Sequence, residues 1–262
     1  MQIPMEITMR KWLGGAVLMA MFSTFANPQE PENPPLHLIV TYRCPPPRRA
    51  AFRLFLTQDG MPRFERWKQD GVLQDYRVMF NWYVDSDTWD GMAVLSFPSY
   101  GQVARWREIE RISPGGLTRD ALELAWPFNS YPADDAWSES AEPAPDPAKI
   151  VYFAIAYEYS RASEYRDFAG AYLIPQCRGW MREGVLAGYD LYLARYAVGK
   201  KWQALLLLRY RDVDAFSRRD QAIAKVRAQL LTEPAWRAID EKKLKPGVEK
   251  EIVIADPVLA HF

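Results

Sequence analysis

Histidine and cysteine are nearly absent, with two of each in 262 residues. That shortage argues against a three- or four-ligand zinc or iron–sulfur site. It also leaves a histidine-dependent triad only His37 and the near-terminal His261 to draw on. Neither sign of charge is in excess, with 33 basic and 33 acidic residues. Neither nucleic acid nor an anionic membrane is therefore expected as a partner. No apolar run reaches the roughly 18–20 residues of a spanning helix. No phosphate-binding glycine loop occurs, since Ser113-Pro114-Gly115-Gly116 reads as a turn. What is plentiful is aromatic: 10 Trp, 14 Tyr and 12 Phe. With 49% apolar and 25% charged residues the composition is otherwise that of a globular protein.

The first residues read as an address. Arg10 and Lys11 precede an apolar run from Trp12 to Phe22, and Ser23-Thr24-Phe25-Ala26 follows with small residues before a cut. A basic start, a short apolar core and a small-residue exit describe a secretory signal peptide. Eleven residues rise only about 16 Å as a helix, too short for about 30 Å of hydrocarbon. The expectation is a signal over 1–26 cleaved after Ala26, a flexible tail over 27–35, and a secreted or periplasmic protein. An oxidising compartment would allow Cys44 and Cys177 to pair. Cys177 lies on an apolar helix face, which points instead to a buried free thiol.

The rest of the chain reads twice. Pro62, Trp67, Gly71, Val72, Leu73, Tyr76, Tyr83, Trp89 and Leu95 recur as Pro175, Trp180, Gly184, Val185, Leu186, Tyr189, Tyr196, Trp202 and Leu208. The offset is 113 throughout, without a gap. Each copy opens with a β-branched and aromatic strand, 36–44 and 150–159. A helix follows (48–69 and 162–182) with proline inside it, where a kink is expected, or in the first copy a break at Asp59-Gly60-Met61-Pro62. Gly71 and Gly184 suit a left-handed helix stop. Two strands and a second helix come next. The second copy adds a short helix capped by Thr232 and a closing strand, 249–255. The first copy offers Thr118 before a similar short helix but no evident closing strand. Residues 127–148, with five prolines, five acidic residues and no basic one, read as a solvated linker between repeats at 36–126 and 149–262.

Strand-helix-strand-strand-helix-strand is the ferredoxin-like plan. The expected fold is α+β: two tandem ferredoxin-like (βαββαβ) repeats packed sheet on sheet into a pseudo-dimeric α/β barrel. On the duplicated Pro-x4-Trp-x2-Asp/Glu-Gly-Val-Leu-x2-Tyr blocks and the strand pairs after them, the chain resembles the dimeric α/β-barrel superfamily in its fused two-repeat form. The resemblance covers roughly 36–126 and 149–256 and is one of fold. That superfamily includes haem enzymes of the chlorite dismutase and dye-decolorising peroxidase types, and cofactor-free quinone-forming monooxygenases. The haem enzymes imply a proximal histidine on the helical layer of the C-terminal repeat. Neither histidine of this chain falls there, so no cofactor or metal is expected. Fold alone transfers no function. A single chain can close the barrel, so a monomer is compatible with it.

Strand alternation sorts the faces. Leu38, Val40 and Tyr42 share one side of the first strand, while His37, Thr41 and Arg43 share the other. The mixed side must line the barrel. That places Arg43, Arg77, Asn81, Tyr83, Glu158, Asp190, Tyr192 and Tyr196 inside. Arg43 is matched by Glu158 and Arg77 by Asp190, so copies of opposite charge face one another across a pseudo-twofold axis. As a site, the aromatic walls would hold a small aromatic or apolar molecule. Arg43 and Arg77 would take an anionic or phenolic oxygen, and Glu158 or Asp190 would serve as base if chemistry occurs. Two other readings stand beside this exported binding protein. One is a filled barrel with internal ion pairs and an interaction or envelope-associated role. The other is a cofactor-independent oxygenase or isomerase. Trp89 and Trp202, at equivalent strand entrances, are expected to close the barrel ends.

Overall fold

The computed structural model describes residues 36–242 and 244–260. The expected signal segment 1–26, the expected tail 27–35 and His261 lie outside the described residues. The chain runs through β1 (Leu36–Arg43), α1 (Arg49–Phe55), α2 (Met61–Gln69), β2 (Asp75–Asn81), β3 (Gly91–Phe97), α3 (Tyr100–Ile112), α4 (Arg119–Leu122) and β4 (Trp126–Ser140). It continues through β5 (Val151–Tyr159), α5 (Ala162–Phe168), α6 (Ile174–Arg182), β6 (Leu186–Ala194), β7 (Ala204–Tyr210), α7 (Val213–Ser217), α8 (Arg219–Leu230), α9 (Pro234–Asp240) and β8 (Gly247–Pro257).

Local sequence accounts for the matched details. One wide π turn joins α1 to α2 at Leu56–Gly60, and another joins α5 to α6 at Ala169–Leu173. Pro62 and Pro175 sit at the start of the helices that follow. A proline ring collides with the carbonyl four residues back, and the wider turn moves that carbonyl away. The first helix is therefore continuous where a break at Asp59–Pro62 was expected. Gly71 and Gly184 stop α2 and α6 with φ of +67° and +74°. Thr118 caps α4 by accepting from the Ala121 amide at 3.2 Å. Thr232 does not cap α9; its hydroxyl turns back to the Gln229 carbonyl, and Pro234 begins the helix.

All eight strands form one closed antiparallel barrel in the order β1-β3-β2-β8-β5-β7-β6-β4. Each half contributes four adjacent strands in equivalent order. The halves join where β2 meets β8 and where β4 meets β6. The linker expected at 127–148 is corrected here. Residues 126–140 are β4, the closing strand missing from the first half, paired to β1 along one edge and to β6 along the other. Pro143, Pro145 and Pro147 fall after this strand ends, so only 141–148 connects the halves. Pro127 and Pro132 are held in it by their carbonyls and by their neighbours' pairing.

Burial divides into three layers. Leu95, Phe97, Phe52, Phe64 and Trp106 pack the outer face of the first half beneath its helices. Tyr165, Cys177, Tyr189, Leu208 and Trp236 do so in the second. The third layer is the barrel interior, where Ile39, Met79, Met92, Tyr131, Leu205 and Val253 pack together. Cys44 and Cys177 are free thiols buried in opposite outer layers, with the barrel wall between them.

Candidate functional site

β1, β2, β5 and β6 run the same way through the barrel. The end where they finish is the mouth and the other end is the base. The interior side chains follow from strand parity: Met79 and Asn81 on β2, Leu205 and Leu207 on β7, Val253 and Ala255 on β8. Large residues fill the bore between the ends. Trp202 stacks on Tyr131 with ring centres 3.8 Å apart and planes at 17°. Trp89 is buried in the same layer. These tryptophans close the bore beneath the mouth.

Near the base, Arg77 and Asp190 meet. Arg77 Nη2 donates to Asp190 Oδ1 at 3.0 Å and to the Tyr192 hydroxyl at 2.9 Å. Ser138 donates to the same carboxylate at 2.7 Å, and Arg209 approaches it at 3.6 Å. The Asp190 side chain is 1% exposed, whereas the side chains of Arg77 and Arg209 are partly exposed. Burial alone would raise the Asp190 pKa. The charges of Arg77 and Arg209 and the bonds from Arg77 and Ser138 outweigh burial, and the carboxyl is held below its ordinary value. Burial raises the Tyr192 phenol. This arrangement plugs the base.

At the mouth, the structure opens a cleft of about 650 Å³. Arg43, Phe128, Lys201, Lys250, Glu251 and Ile252 line it, together with the 85–88 turn. The Arg43 guanidinium lies over the Phe128 ring, 5.2 Å from its centre. Lys201 pairs with Glu251 at 2.8 Å. Burial raises the Glu251 carboxyl despite that lysine. Beneath it the Tyr131 phenol is pushed up to about 12, by burial first and then by the Glu251 charge. The cleft therefore offers an aromatic wall, a stacked guanidinium and a half-buried acid–lysine pair.

The residues expected to share one site are distributed between these places. Arg77, Asp190 and Tyr192 come together at the base, and the pairing of Arg77 with Asp190 is as the repeat implied. Asn81 is buried but occupied: its amide nitrogen donates to Thr88 Oγ1 and the Trp89 carbonyl, and its oxygen accepts from the Tyr83 amide. It braces the β2–β3 hairpin. Arg43 lies at the mouth, 4.0 Å from Asp90, not beside Glu158. Glu158 pairs instead with Lys250 at 2.8 Å, both largely in solvent. Tyr83 and Tyr196 are corrected: they are 63% and 68% exposed. They follow the last residues of β2 and β6, so strand parity no longer aims them inward. Arg209, Ser138, Lys201 and Glu251 were missed. Alternation along β7 (Leu205, Leu207, Arg209) carries the signal for Arg209.

No described protein family and no curated protein matches the sequence. Solved structures do resemble the fold. A candidate monooxygenase from Fusobacterium nucleatum subsp. nucleatum has a TM-score of 0.53 at 10% identity, over 87% of this chain and 94% of that one. An anthrone oxidase-like protein has 0.52 at 9%, over 87% and 92%. A mutant chlorite dismutase from Candidatus Nitrospira defluvii, in complex with cyanide, has 0.50 at 8%, over 87% and 92%. The chain shares with them the dimeric α+β-barrel fold. At these identities the likeness is one of architecture.

The haem that some members of the superfamily imply does not fit this chain. The helices of the second half contain no histidine. The layer between them and the sheet is filled by stacked rings, Phe168 on Tyr172 and Tyr172 on Trp236. Cys177 is fully buried there and burial raises its thiol, which disfavours the thiolate a metal would need.

Proposed function

We propose that this chain is an exported binding protein, built from two ferredoxin-like repeats, that takes a small aromatic or apolar molecule at the mouth of its barrel. The observation that carries the reading is the mouth cleft, where Phe128, Ile252 and the stacked Arg43 converge on open space above a packed bore. Apolar walls with a few placed polar groups are the usual form of a small-molecule site. The matched Pro62/Pro175 turns and Gly71/Gly184 stops support the repeats. The Arg10–Ala26 segment supports export.

Native mass spectrometry of protein made with its own signal tests this. A retained small molecule and a mature chain beginning at Asn27 are the expected results. Arg43→Met and Phe128→Ala should each weaken binding of that molecule about tenfold, or about 1.4 kcal/mol, with little change in the unfolding midpoint. Unchanged affinity in both variants removes the mouth as the site.

A second reading is favoured by Glu251, whose raised pKa beside Tyr131 suits a proton acceptor. With candidate monooxygenase and anthrone oxidase-like proteins among the structural neighbours, it would make the cleft a cofactor-independent oxygenase site. Turnover of phenols by metal-free protein, lost in Glu251→Gln, distinguishes it from simple binding.

A further inference from the structure

The two hairpins at the mouth occupy equivalent places in the halves and carry opposite charge. Residues 82–90 contain Asp85, Asp87 and Asp90 and no basic residue. Residues 195–203, each 113 positions on, contain Arg195, Lys200 and Lys201 and no acidic one. Asp90 is paired with Arg49, Arg195 holds Asp134 at 2.5 Å and Lys201 pairs with Glu251 at 2.8 Å, so among the described residues Lys200 is the cation of the basic hairpin left outside any ion pair. Asp85 and Asp87 are exposed, and among the described residues neither carboxylate is in an ion pair. Lys201 reaches across to Asp87 but donates to its backbone carbonyl, leaving that carboxylate unmatched. Lys200 donates to the Ser130 carbonyl at 3.1 Å, which satisfies a donor without cancelling the charge.

Apolar side chains stand among these charges on both tips. Tyr83 and Val84 are more than 60% exposed on one hairpin, as is Tyr196 on the other, and Val198 is fully exposed. Such a cluster rimmed by charge marks an interaction surface. An anionic bilayer suits Lys200 and Lys201 but repels Asp85 and Asp87 on the opposite tip. A second copy of the chain satisfies both. A twofold axis perpendicular to the barrel, passing between the hairpins, sets the acidic hairpin of each copy over the basic hairpin of the other. The same operation brings the exposed tyrosines and valines of the facing tips together.

We propose that two copies pair mouth to mouth through these hairpins, each covering the other's cleft. The pairing rests on the hairpins themselves. Its consequence for ligand, enclosure of the cleft in a shared chamber, rests on the mouth reading above.

Sedimentation velocity of the mature chain, up to about 100 µM and from about 0.05 to 0.5 M salt, tests it. The expected result is a reversible dimer that weakens as salt rises. Asp85→Lys/Asp87→Lys makes both hairpins basic, and Lys200→Asp/Lys201→Asp makes both acidic. Each variant alone should be monomeric. Mixed in equal amounts they should form a heterodimer, because both facing pairs are again complementary. If the second variant does not fold, Asp85→Asn/Asp87→Asn, which removes the attraction without adding repulsion, should weaken the dimer less than Asp85→Lys/Asp87→Lys does, and equal effects overturn the proposal. A wild-type monomer throughout, a dimer that neither variant alters, or a monomer that floats with phosphatidylserine vesicles overturns the proposal. Ligand retained by a monomeric wild type would end the pairing and leave the mouth site standing. A dimer that binds nothing would do the reverse.

Discussion

Arg77 and Asp190 are equivalent residues of the two halves, 113 positions apart, and their side chains meet inside the barrel. On the two-repeat reading proposed above, this pair marks the pseudo-twofold at the base, because equivalent positions touch only near the axis that relates them. Two identical residues there would repel if charged. The chain instead carries one of each sign and adds Arg209 beside them. Removing the carboxylate leaves two guanidiniums without their shared partner. Asp190→Ala should therefore cost about 3–5 kcal/mol, while Arg77→Met/Asp190→Leu/Arg209→Met, which removes all three charges, should cost clearly less. Urea unfolding of the two variants measures this. A triple variant weaker than the single one would show that the charges themselves stabilise the barrel.

Acid should act through the same carboxyl. Folding lowers the Asp190 pKa, so its contribution is complete above the unfolded carboxylate value of about 3.9. It is lost as pH falls below that value and through the folded one. The stability gap between wild type and Asp190→Asn should be flat above about pH 5 and shrink below about pH 4. A gap that stays constant to the acid limit of folding would mean that Asp190 is not held ionised by its partners.

How much of this was legible depended on how local each cue is. Parity along a strand is a property of a few residues, and it placed Arg77, Asn81, Asp190 and Tyr192 inward correctly. It failed at Tyr83 and Tyr196 because parity lapses where the strand ends, and the ends at Asn81 and Ala194 are set by hairpin geometry. β4 was hidden for the opposite reason. Its Asp134, Asp135, Glu139 and prolines have the composition of a linker, yet backbone pairing with β1 and β6 holds it. That pairing is supplied by distant parts of the chain. The mouth cleft joins β1, β4, β8 and both hairpins, so no segment announces it.

Three glycines separate backbone strain from crowding. Gly71 and Gly184 have positive φ and open space where a Cβ would stand. Alanine at either should cost about 1–2 kcal/mol, by similar amounts, since only the backbone is penalised. Gly179 has ordinary φ, but a Cβ there would collide with Val226 on α8. Gly179→Ala should cost about 1–3 kcal/mol through overpacking, and Val226→Ala in the same chain should recover part of it. The first half has the exposed Arg66 at the equivalent place, so its helices have no such requirement. Unequal costs at Gly71 and Gly184 would argue that the two helix stops differ in more than sequence.

The packed bore makes a prediction of its own about ligands. Trp202 is buried against Tyr131 and shares its layer with Leu205, Leu207 and Val253. Replacing it by alanine removes a large ring from close-packed surroundings, at about 3–5 kcal/mol. The void is walled mainly by apolar groups, and such voids accept small aromatic molecules from water. Indole should therefore raise the unfolding temperature of Trp202→Ala by more than that of wild type, which has room for it only at the mouth. Thermal scans across an indole titration read both effects at once. Stabilisation of wild type by indole to the same degree, undiminished in Phe128→Ala, would mean that the bore already admits a ligand, and it would move the binding site from the mouth to the interior.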